Sequence, residues 1–248
     1  MTAQRGNLSC NFDDSCTRPM FNDAIQSDSL AQASLLSPAL TTEMLDRLRQ
    51  HPPLKLGILA SGSGSNFEAI AQAIADQQLN AHIQVVVYNN PGAKAADRAA
   101  KFGIPAVLHN HRDYAQREDL DRAIIQTFQD YDATWLIMAG WMRRVTQVLI
   151  DAFPQRCLNI HPSLLPSFPG THAVEQALAA GVAIAGCTVH RVELKVDSGP
   201  IIMQAAVPIL PGDSADTLHP RVQVQEHRLY PAAIALAAWQ NLQNGQDI

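Results

Sequence analysis

The stretch Leu54-Lys55-Leu56-Gly57-Ile58-Leu59-Ala60-Ser61-Gly62-Ser63-Gly64-Ser65-Asn66 decides how this chain is read. Leu54 to Ala60 is a short, nearly continuous apolar run, the pattern of a strand buried on both faces. A Gly/Ser loop follows, and from Asn66 to Ile74 the apolar residues Phe67, Ile70 and Ile74 fall at helical spacing. The same rhythm recurs downstream. His82 to Tyr88 is a second strand, followed by an Ala-rich helix from about Gly92 to Phe102 and a brief third strand at Pro105 to Leu108. Arg117 to Phe128 is amphipathic through Leu120, Ile124 and Phe128; Ala133 to Ala139 and Cys157 to Ile160 are the fourth and fifth strands. Such alternation predicts an α/β fold, an open, mostly parallel twisted sheet with helices on both faces. After His161 the rhythm changes. A helix at His172 to Ala180 precedes two strands, Ile184 to Leu194 and Pro200 to Val207, joined by Lys195-Val196-Asp197-Ser198-Gly199. So short a connection predicts antiparallel strands in the C-terminal part. A long helix from about Ala215 to Gln240 closes the chain.

Upstream of Leu54, residues 1–53 read as a flexible leader, with 54–248 as one domain. To about residue 40 the leader has no periodicity and is rich in Ser, Asn, Asp, Thr and Gln, too polar to offset the entropy of ordering. A short helix after Thr42 puts Met44, Leu45 and Leu48 on one face before Pro52 and Pro53 interrupt it. Composition then removes whole classes of function. With 47% hydrophobic residues and a net charge of −5, the chain carries no basic field for nucleic acid or an anionic membrane. No apolar run reaches the roughly 18 residues that a membrane helix requires. The cysteines, Cys10, Cys16, Cys157 and Cys187, form no Cys-x-x-Cys pair, and the last two lie in apolar segments, as buried thiols of a reducing compartment do. The first fifty residues hold no signal core, and Asp13, Asp14, Asp23 and Asp28 argue against a transit peptide. The expected compartment is the cytoplasm.

The loop Ser61-Gly62-Ser63-Gly64-Ser65-Asn66 ends a strand and opens a helix. Glycines admit close approach of a ligand, and a helix start offers free N–H groups to an anion, so the loop can cradle a phosphate. It can equally be an ordinary turn capped by Ser65 or Asn66. It is not a Walker loop, a complete dinucleotide fingerprint or a nucleophile elbow. In Cys157-Leu158-Asn159-Ile160-His161-Pro162, Asn159 and His161 share one face of a strand that Pro162 stops. In open α/β sheets ligands bind outside the carboxyl ends of the strands. There an amide can donate to a developing oxyanion and an imidazole can carry a proton; a capped strand end with a solvated histidine is the competing reading. Asp197, on the tight turn, is the candidate carboxylate to orient His161, or else simply a turn-forming residue before Ser-Gly. A metal site from His161, His172, His190 and Asp197 lacks zinc-motif spacing, and no metal is expected.

Taken together and in order, Asn159-Ile160-His161-Pro162-Ser163-Leu164-Leu165-Pro166, Phe168-Pro169-Gly170, Gly186-x-Thr188-Val189-His190 and Asp197-x-Gly199-Pro200-Ile201-Ile202 resemble the folate-dependent formyltransferases. The Ser-Gly-Ser-Gly-Ser-Asn loop and Gln223-x-Gln225-Glu226-His227-x-x-Tyr230-Pro231 extend the resemblance to members acting on glycinamide ribonucleotide, over Leu54 to about Trp239. The resemblance implies a Rossmann-like formyltransferase fold. It implies metal-free transfer of a formyl group from the co-substrate 10-formyltetrahydrofolate to the amine of glycinamide ribonucleotide, giving formylglycinamide ribonucleotide and tetrahydrofolate in de novo purine biosynthesis. Asn159 and His161 would stabilise the oxyanion, His161 would share in proton transfer, and Asp197 would hold and polarise His161. Gly64, Ser65 and Asn66 would take the substrate phosphate, with Gln223 and Glu226 at the glycinamide or ribose end. Arg117 and the segment Met142, Arg143, Arg144 and Val145 would line the folate site beside Asn159. The partners implied are small-molecule substrates, with the chain a monomer or homodimer. Ser198, Arg144, Val145 and Val174 depart from the family pattern. Formyltetrahydrofolate hydrolysis and non-catalytic folate or nucleotide binding are the alternatives. A transfer-RNA formylating relative would need an added basic domain, for which an acidic chain ending at Ile248 leaves no room.

Overall fold

Apolar segments that cannot face water on either side dictate the architecture. In the computed structural model, residues 35–246 and Ile248 are described. The first half contains β1 (Leu35–Ser37), α1 (Thr42–Arg49), β2 (Leu54–Ala60), α2 (Ser65–Ala75), β3 (Ala81–Tyr88), α3 (Lys94–Lys101) and β4 (Ala106–Leu108). The second contains α4 (Arg117–Asp130), β5 (Trp135–Met138), α5 (Gln147–Ala152), β6 (Cys157–His161), α6 (Ala173–Ala179), β7 (Ile184–Arg191), β8 (Ile201–Pro208) and α7 (Ala215–Gln243). The strands form one sheet in the order β1-β8-β7-β6-β5-β2-β3-β4. β2 through β6 pair in parallel, and β6–β7, β7–β8 and β1–β8 pair antiparallel. The α/β expectation holds, antiparallel C-terminal strands included.

Strand alternation divides the interior into two cores. Leu56 and Ile58 of β2, Trp135 and Ile137 of β5, Phe67 and Ile70 of α2 and the inner side of α7 pack on one face. Leu59, Val85, Val87, Leu136 and Met138 pack with Leu120, Ile124 and Phe128 of α4 on the other. Gly57 is part of this fit: a Cβ there would lie 2.2 Å from Cε2 of Phe128, so only glycine lets α4 lie this close to β2. α7 is buried nearly all round in its second half, with Leu229, Tyr230, Ala233, Ile234, Ala237 and Ala238 fully enclosed, as expected of a helix crossing a core. Its Tyr230 hydroxyl lies 3.1 Å from the carbonyls of both Met138 and Leu158, tying the helix to β5 and β6.

The chain leaves β2 for β3 and β4 on one side, then returns to β5 on the other. The crevice between β2 and β5 is therefore the switch point where open α/β sheets bind ligands. The loops after those strands are fastened together: Ser61 N donates to the Gly140 carbonyl at 3.0 Å, and Met142 N donates to Ser61 Oγ at 2.8 Å.

The described part of the expected leader is not structureless. Leu35–Ser37 extends the sheet beside β8, and Thr42–Arg49 forms the anticipated helix, with Thr41 Oγ1 accepting from Met44 N and Leu48 buried. A strand of three residues has no legible period, and its partner lies some 170 residues away. α5 was not anticipated either, because six residues are too few for helical periodicity to register. The readings of Cys10, Cys16 and the leader's aspartates lie outside the described residues. Cys157 and Cys187 are free and buried, and burial pushes both thiols well above their ordinary pKa. Among the described residues no helix is long and apolar enough to cross a membrane.

Candidate active site

Three carbonyls of the Gly/Ser loop are each taken by a donor. Asn90 Nδ2 donates to Ser61 O at 2.7 Å, Ala95 N to Gly62 O at 3.3 Å, and Arg98 Nε to Ser63 O at 2.8 Å. Arg98 also pairs with Glu68 on α2. With the carbonyls occupied, Gly64 takes φ +72° and starts α2 without a side-chain cap, leaving the first N–H groups of the helix available. A Cβ on Gly64 would lie 2.9 Å from both Cα and Cβ of Ala95, so the position requires glycine for space as well as for φ. The competing reading, a turn capped by Ser65 or Asn66, does not fit: both side chains bond to α7 instead. Gln223 Nε2 donates to Ser65 Oγ at 3.0 Å, and Asn66 Nδ2 donates to Glu226 Oε2 at 2.9 Å. Asn66 Oδ1 is buried with no partner in the protein. Burial raises the Glu226 carboxyl above its usual pKa, offset in part by the Asn66 hydrogen bond and by the His219 and His161 rings. Gly64, Ser65, Asn66, Gln223 and Glu226 thus form one group.

Asn159 and His161 share a face of β6, as strand alternation requires. The antiparallel register sets His190 of β7 directly opposite Asn159, and Asn159 Nδ2 lies 3.2 Å from His190 Nε2. Asp197 reaches this face from the turn between β7 and β8. Its Oδ2 is 3.3 Å from His161 Nδ1, its Oδ1 is 3.6 Å from His190 Nε2, and it accepts the Gly170 N–H at 2.8 Å. The Asp-x-Gly spacing has a steric cause. A Cβ on Gly199 would sit 1.9 Å from the Arg191 carbonyl, so glycine lets the turn fold back over the strand ends. Asp197 itself has φ +52°, a left-handed conformation that aspartate tolerates better than most residues.

Proton bookkeeping narrows the chemistry of the trio. A carbonyl only accepts, so His161 donates through Nε2 to Phe168 O at 2.9 Å, and His190 through Nδ1 to Arg191 O at 2.8 Å. The remaining ring nitrogens both face Asp197. Two neutral rings would set two lone pairs against a carboxylate, and one further proton in the trio converts that repulsion into a charge-assisted hydrogen bond. Burial pulls the Asp197 carboxyl upward, but the His190 contact, the Gly170 N–H and the charge of His161 outweigh it, and the net shift is downward. The arrangement can present an amide donor and a proton carrier at one carbonyl-sized position. His172 is not part of it; it is exposed and 3.5 Å from Glu175.

Beside this centre lies an open cavity of about 600 Å³ lined by Arg117, Arg144, Val145, Pro169, Gly170, Leu194, Lys195 and Val196. That volume suits a ligand of drug or cofactor size. Arg117, Arg144 and Val145 are thus brought together as expected, but Met142 and Arg143 are outside the lining, and Met142 is 72% exposed. The apolar walls and cationic rim fit an elongated molecule with an anionic end. The segment carrying Arg144 is held from below, where Thr146 N donates to the buried Asp121 at 2.7 Å.

Sequence reasoning considered His190 only as a metal ligand, although it is the residue that joins Asn159 to Asp197. The signal was the cross-strand position, which exists only once the β6–β7 register is known. The contributions of Gly170 and Lys195 were likewise invisible, since both come from loops that meet only in the folded chain.

Comparison with known proteins agrees with this geometry. The family profile described as "Formyl transferase" matches residues 54–234. Phosphoribosylglycinamide formyltransferase of Bacillus subtilis (strain 168) is 39% identical over 180 residues, covering 73% of this chain and 92% of that protein. The trifunctional purine biosynthetic protein adenosine-3 of Drosophila pseudoobscura pseudoobscura is 43% identical over 194 residues; the match covers 77% of this chain but only 14% of the length of that relative. Among solved structures, glycinamide ribonucleotide transformylase 1 from Symbiobacterium toebii superposes with a TM-score of 0.75 at 43% identity, covering 77% of this chain and 91% of that one.

Proposed function

The chain belongs to the formyl transferase family, and from that premise we propose that it transfers a formyl group from 10-formyltetrahydrofolate to the amine of glycinamide ribonucleotide, yielding formylglycinamide ribonucleotide and tetrahydrofolate. Residues 54–248 are the working unit in this reading, and the cytoplasm is its compartment. The observation that carries it is the adjacency of two sites that differ in chemistry. An anion-ready helix start, with Asn66 and Glu226 behind it, opens after β2 at the same edge of the sheet where parallel β6 ends in His161, paired with Asp197.

The donor supplies, when bound, a formyl carbon open to attack by an amine. This chain's residues do the rest. The N–H groups at Gly64, Ser65 and Asn66 receive the acceptor's phosphate, and Asn66 Oδ1, Gln223 and Glu226 are the polar groups available to its amide and ribose. The Asn159 carboxamide donates to the oxygen on which negative charge develops, and the positive charge of the His161 ring beside it stabilises that oxygen further. Asp197 holds the proton of His161 while charge develops on the carbonyl oxygen; the proton lost by the attacking amine passes by way of this carboxylate to N10 of the folate as the bond from the formyl carbon to N10 breaks. Arg117 and Arg144 face the donor's carboxylates, and Val145 and the apolar cavity walls exclude water beside it.

Tetrahydrofolate formation from 10-formyltetrahydrofolate is followed with and without glycinamide ribonucleotide. Strict dependence on the acceptor is expected. Equal rates without it would make the chain a hydrolase, the reading that the named relatives do not favour.

A further inference from the structure

One stripe of α7 makes the hydrogen bonds that join this helix to α2. Residues three and four apart share a helix face, so His219, Gln223, Glu226 and Tyr230 stand above one another along α7. Three of the four are fixed by their partners. The Tyr230 hydroxyl is 3.1 Å from the carbonyls of Met138 and Leu158 in the sheet. One turn outward Glu226 Oε2 accepts from Asn66 Nδ2 at 2.9 Å, and beyond it Gln223 Nε2 donates to Ser65 Oγ at 3.0 Å. The stripe thus climbs from the sheet past the start of α2. His219 is the next step, about 6 Å beyond Gln223 along the axis, and it is exposed.

The helix carrying this ring is rigid at that end. Arg221 donates to both carboxylate oxygens of Asp213, at 2.6 and 3.1 Å, and to the Pro208 carbonyl at 3.1 Å. Ser214 N donates to Thr217 Oγ1 at 2.9 Å, and Leu218 and Val222 are fully buried. The ring offsets part of the upward pull of burial on the Glu226 carboxyl, as a ring on the acceptor side of the helix would. The other charged groups around it are Asp216, one turn earlier on α7, and Glu175 of α6, which His172 also approaches at 3.5 Å. Charge balance gives the ring a task. Gly64, Ser65, Asn66 and Gln223 carry no charge, and Glu226 is an acid. Arg98, the cation bound to the loop, is committed to the Ser63 carbonyl and to Glu68. A phosphate dianion seated at the helix start therefore lacks a free cation unless α7 supplies one. Resting on the formyl-transfer reading above, we propose that His219 is a further acceptor-binding residue, its protonated ring facing the phosphate of glycinamide ribonucleotide from the α7 side.

Imidazoles gain their charge on the acid side of neutrality and lose it on the alkaline side, which separates a charge contact from a mere surface position. The test measures KM for glycinamide ribonucleotide at saturating 10-formyltetrahydrofolate, at pH 6.5 and pH 8.5, in the full chain and in its His219→Gln variant. The variant-to-wild-type ratio at each pH cancels the ionisation of the phosphate itself, and partial loss of folded enzyme does not enter KM. An exposed charge contact is worth up to about fivefold in affinity and is weakened by salt. The expected ratio is about fivefold at pH 6.5, close to one at pH 8.5, and smaller at pH 6.5 in high salt. A ratio near one at both pH values would overturn the contact. So would a ratio raised equally at both, the mark of a packing role. Absence of acceptor-dependent turnover would instead sink the formyl-transfer reading. Titration calorimetry of inorganic phosphate into the same two proteins at the same pH values then decides the contact: weaker binding to the variant at pH 6.5 alone supports it, and no difference between the proteins overturns it.

Discussion

Replacing Asp197 by Asn removes one charge from the centre of the site while keeping its shape. The amide oxygen can still accept the Gly170 N–H now found at 2.8 Å, so the turn has no reason to move. What disappears is the attraction between the carboxylate and a charged His161 ring, with Asp197 Oδ2 and His161 Nδ1 3.3 Å apart and side-chain exposures of 8% and 7%. Two unit charges at that separation interact by about 1 kcal/mol in water and about 5 kcal/mol at an effective dielectric constant of 20. The enclosure of both side chains puts the pair toward the upper figure, so kcat should fall by about 10²- to 10³-fold. Because Asp197 does not line the large cavity proposed for the donor, KM for the formyl folate should change little, the pattern of an interaction made mainly in the transition state. Steady-state tetrahydrofolate production gives both constants, and far-UV circular dichroism checks the fold. A kcat within threefold of wild type, with the fold intact, would refute the reasoning and take Asp197 out of the mechanism. The same substitution has a pH signature. The Asp197 carboxyl is held below its ordinary pKa, so its share of stability is complete above the unfolded-state value and is lost as pH falls through the lower folded value. The Asn variant should therefore be less stable than wild type at neutral pH, and the difference should vanish in acid.

Gly64→Ala demands a left-handed φ from alanine and sets its methyl 2.9 Å from Ala95; a loss of ~1–3 kcal/mol in urea unfolding is expected, together with a raised KM for the phosphorylated acceptor. Glu226→Gln should have opposite effects on stability and binding. Because burial raises the Glu226 carboxyl above its usual pKa, ionisation costs stability once pH passes the unfolded-state value, so the neutral Gln variant should unfold at higher urea near pH 7 while KM for the acceptor rises about tenfold. An unchanged acceptor KM would remove Glu226 from that site. Gly57→Ala would push a methyl to 2.2 Å from the Phe128 ring; differential scanning calorimetry should show a loss of ~1–3 kcal/mol, and a change below ~0.5 kcal/mol would mean that α4 shifts freely.

Much of the site was legible in the chain because its parts are local. The strand-loop-helix at Leu54 to Ile74, the shared face of Asn159 and His161, and the turn carrying Asp197 each depend on backbone periods of two or 3.6 residues, or on a glycine at a fixed offset. A reader of residues can see such features without knowing what lies across from them. The partners of those parts could not be read the same way. That His190 sits opposite Asn159 follows from the β6–β7 register, and that Asp197 leans onto His161 follows from Gly199 passing under the Arg191 carbonyl. The meeting of Arg144 with Lys195 at one cavity depends on two loops separated by half a hundred residues. The edge position of Leu35–Ser37 beside β8 was equally closed to inspection. Pairings of this kind are chosen by the burial of whole faces against one another, a property of the assembled sheet and helices that no single segment carries. The sequence therefore determined the kinds of elements and the chemical groups they bear, and the tertiary structure decided which of those groups act on one another.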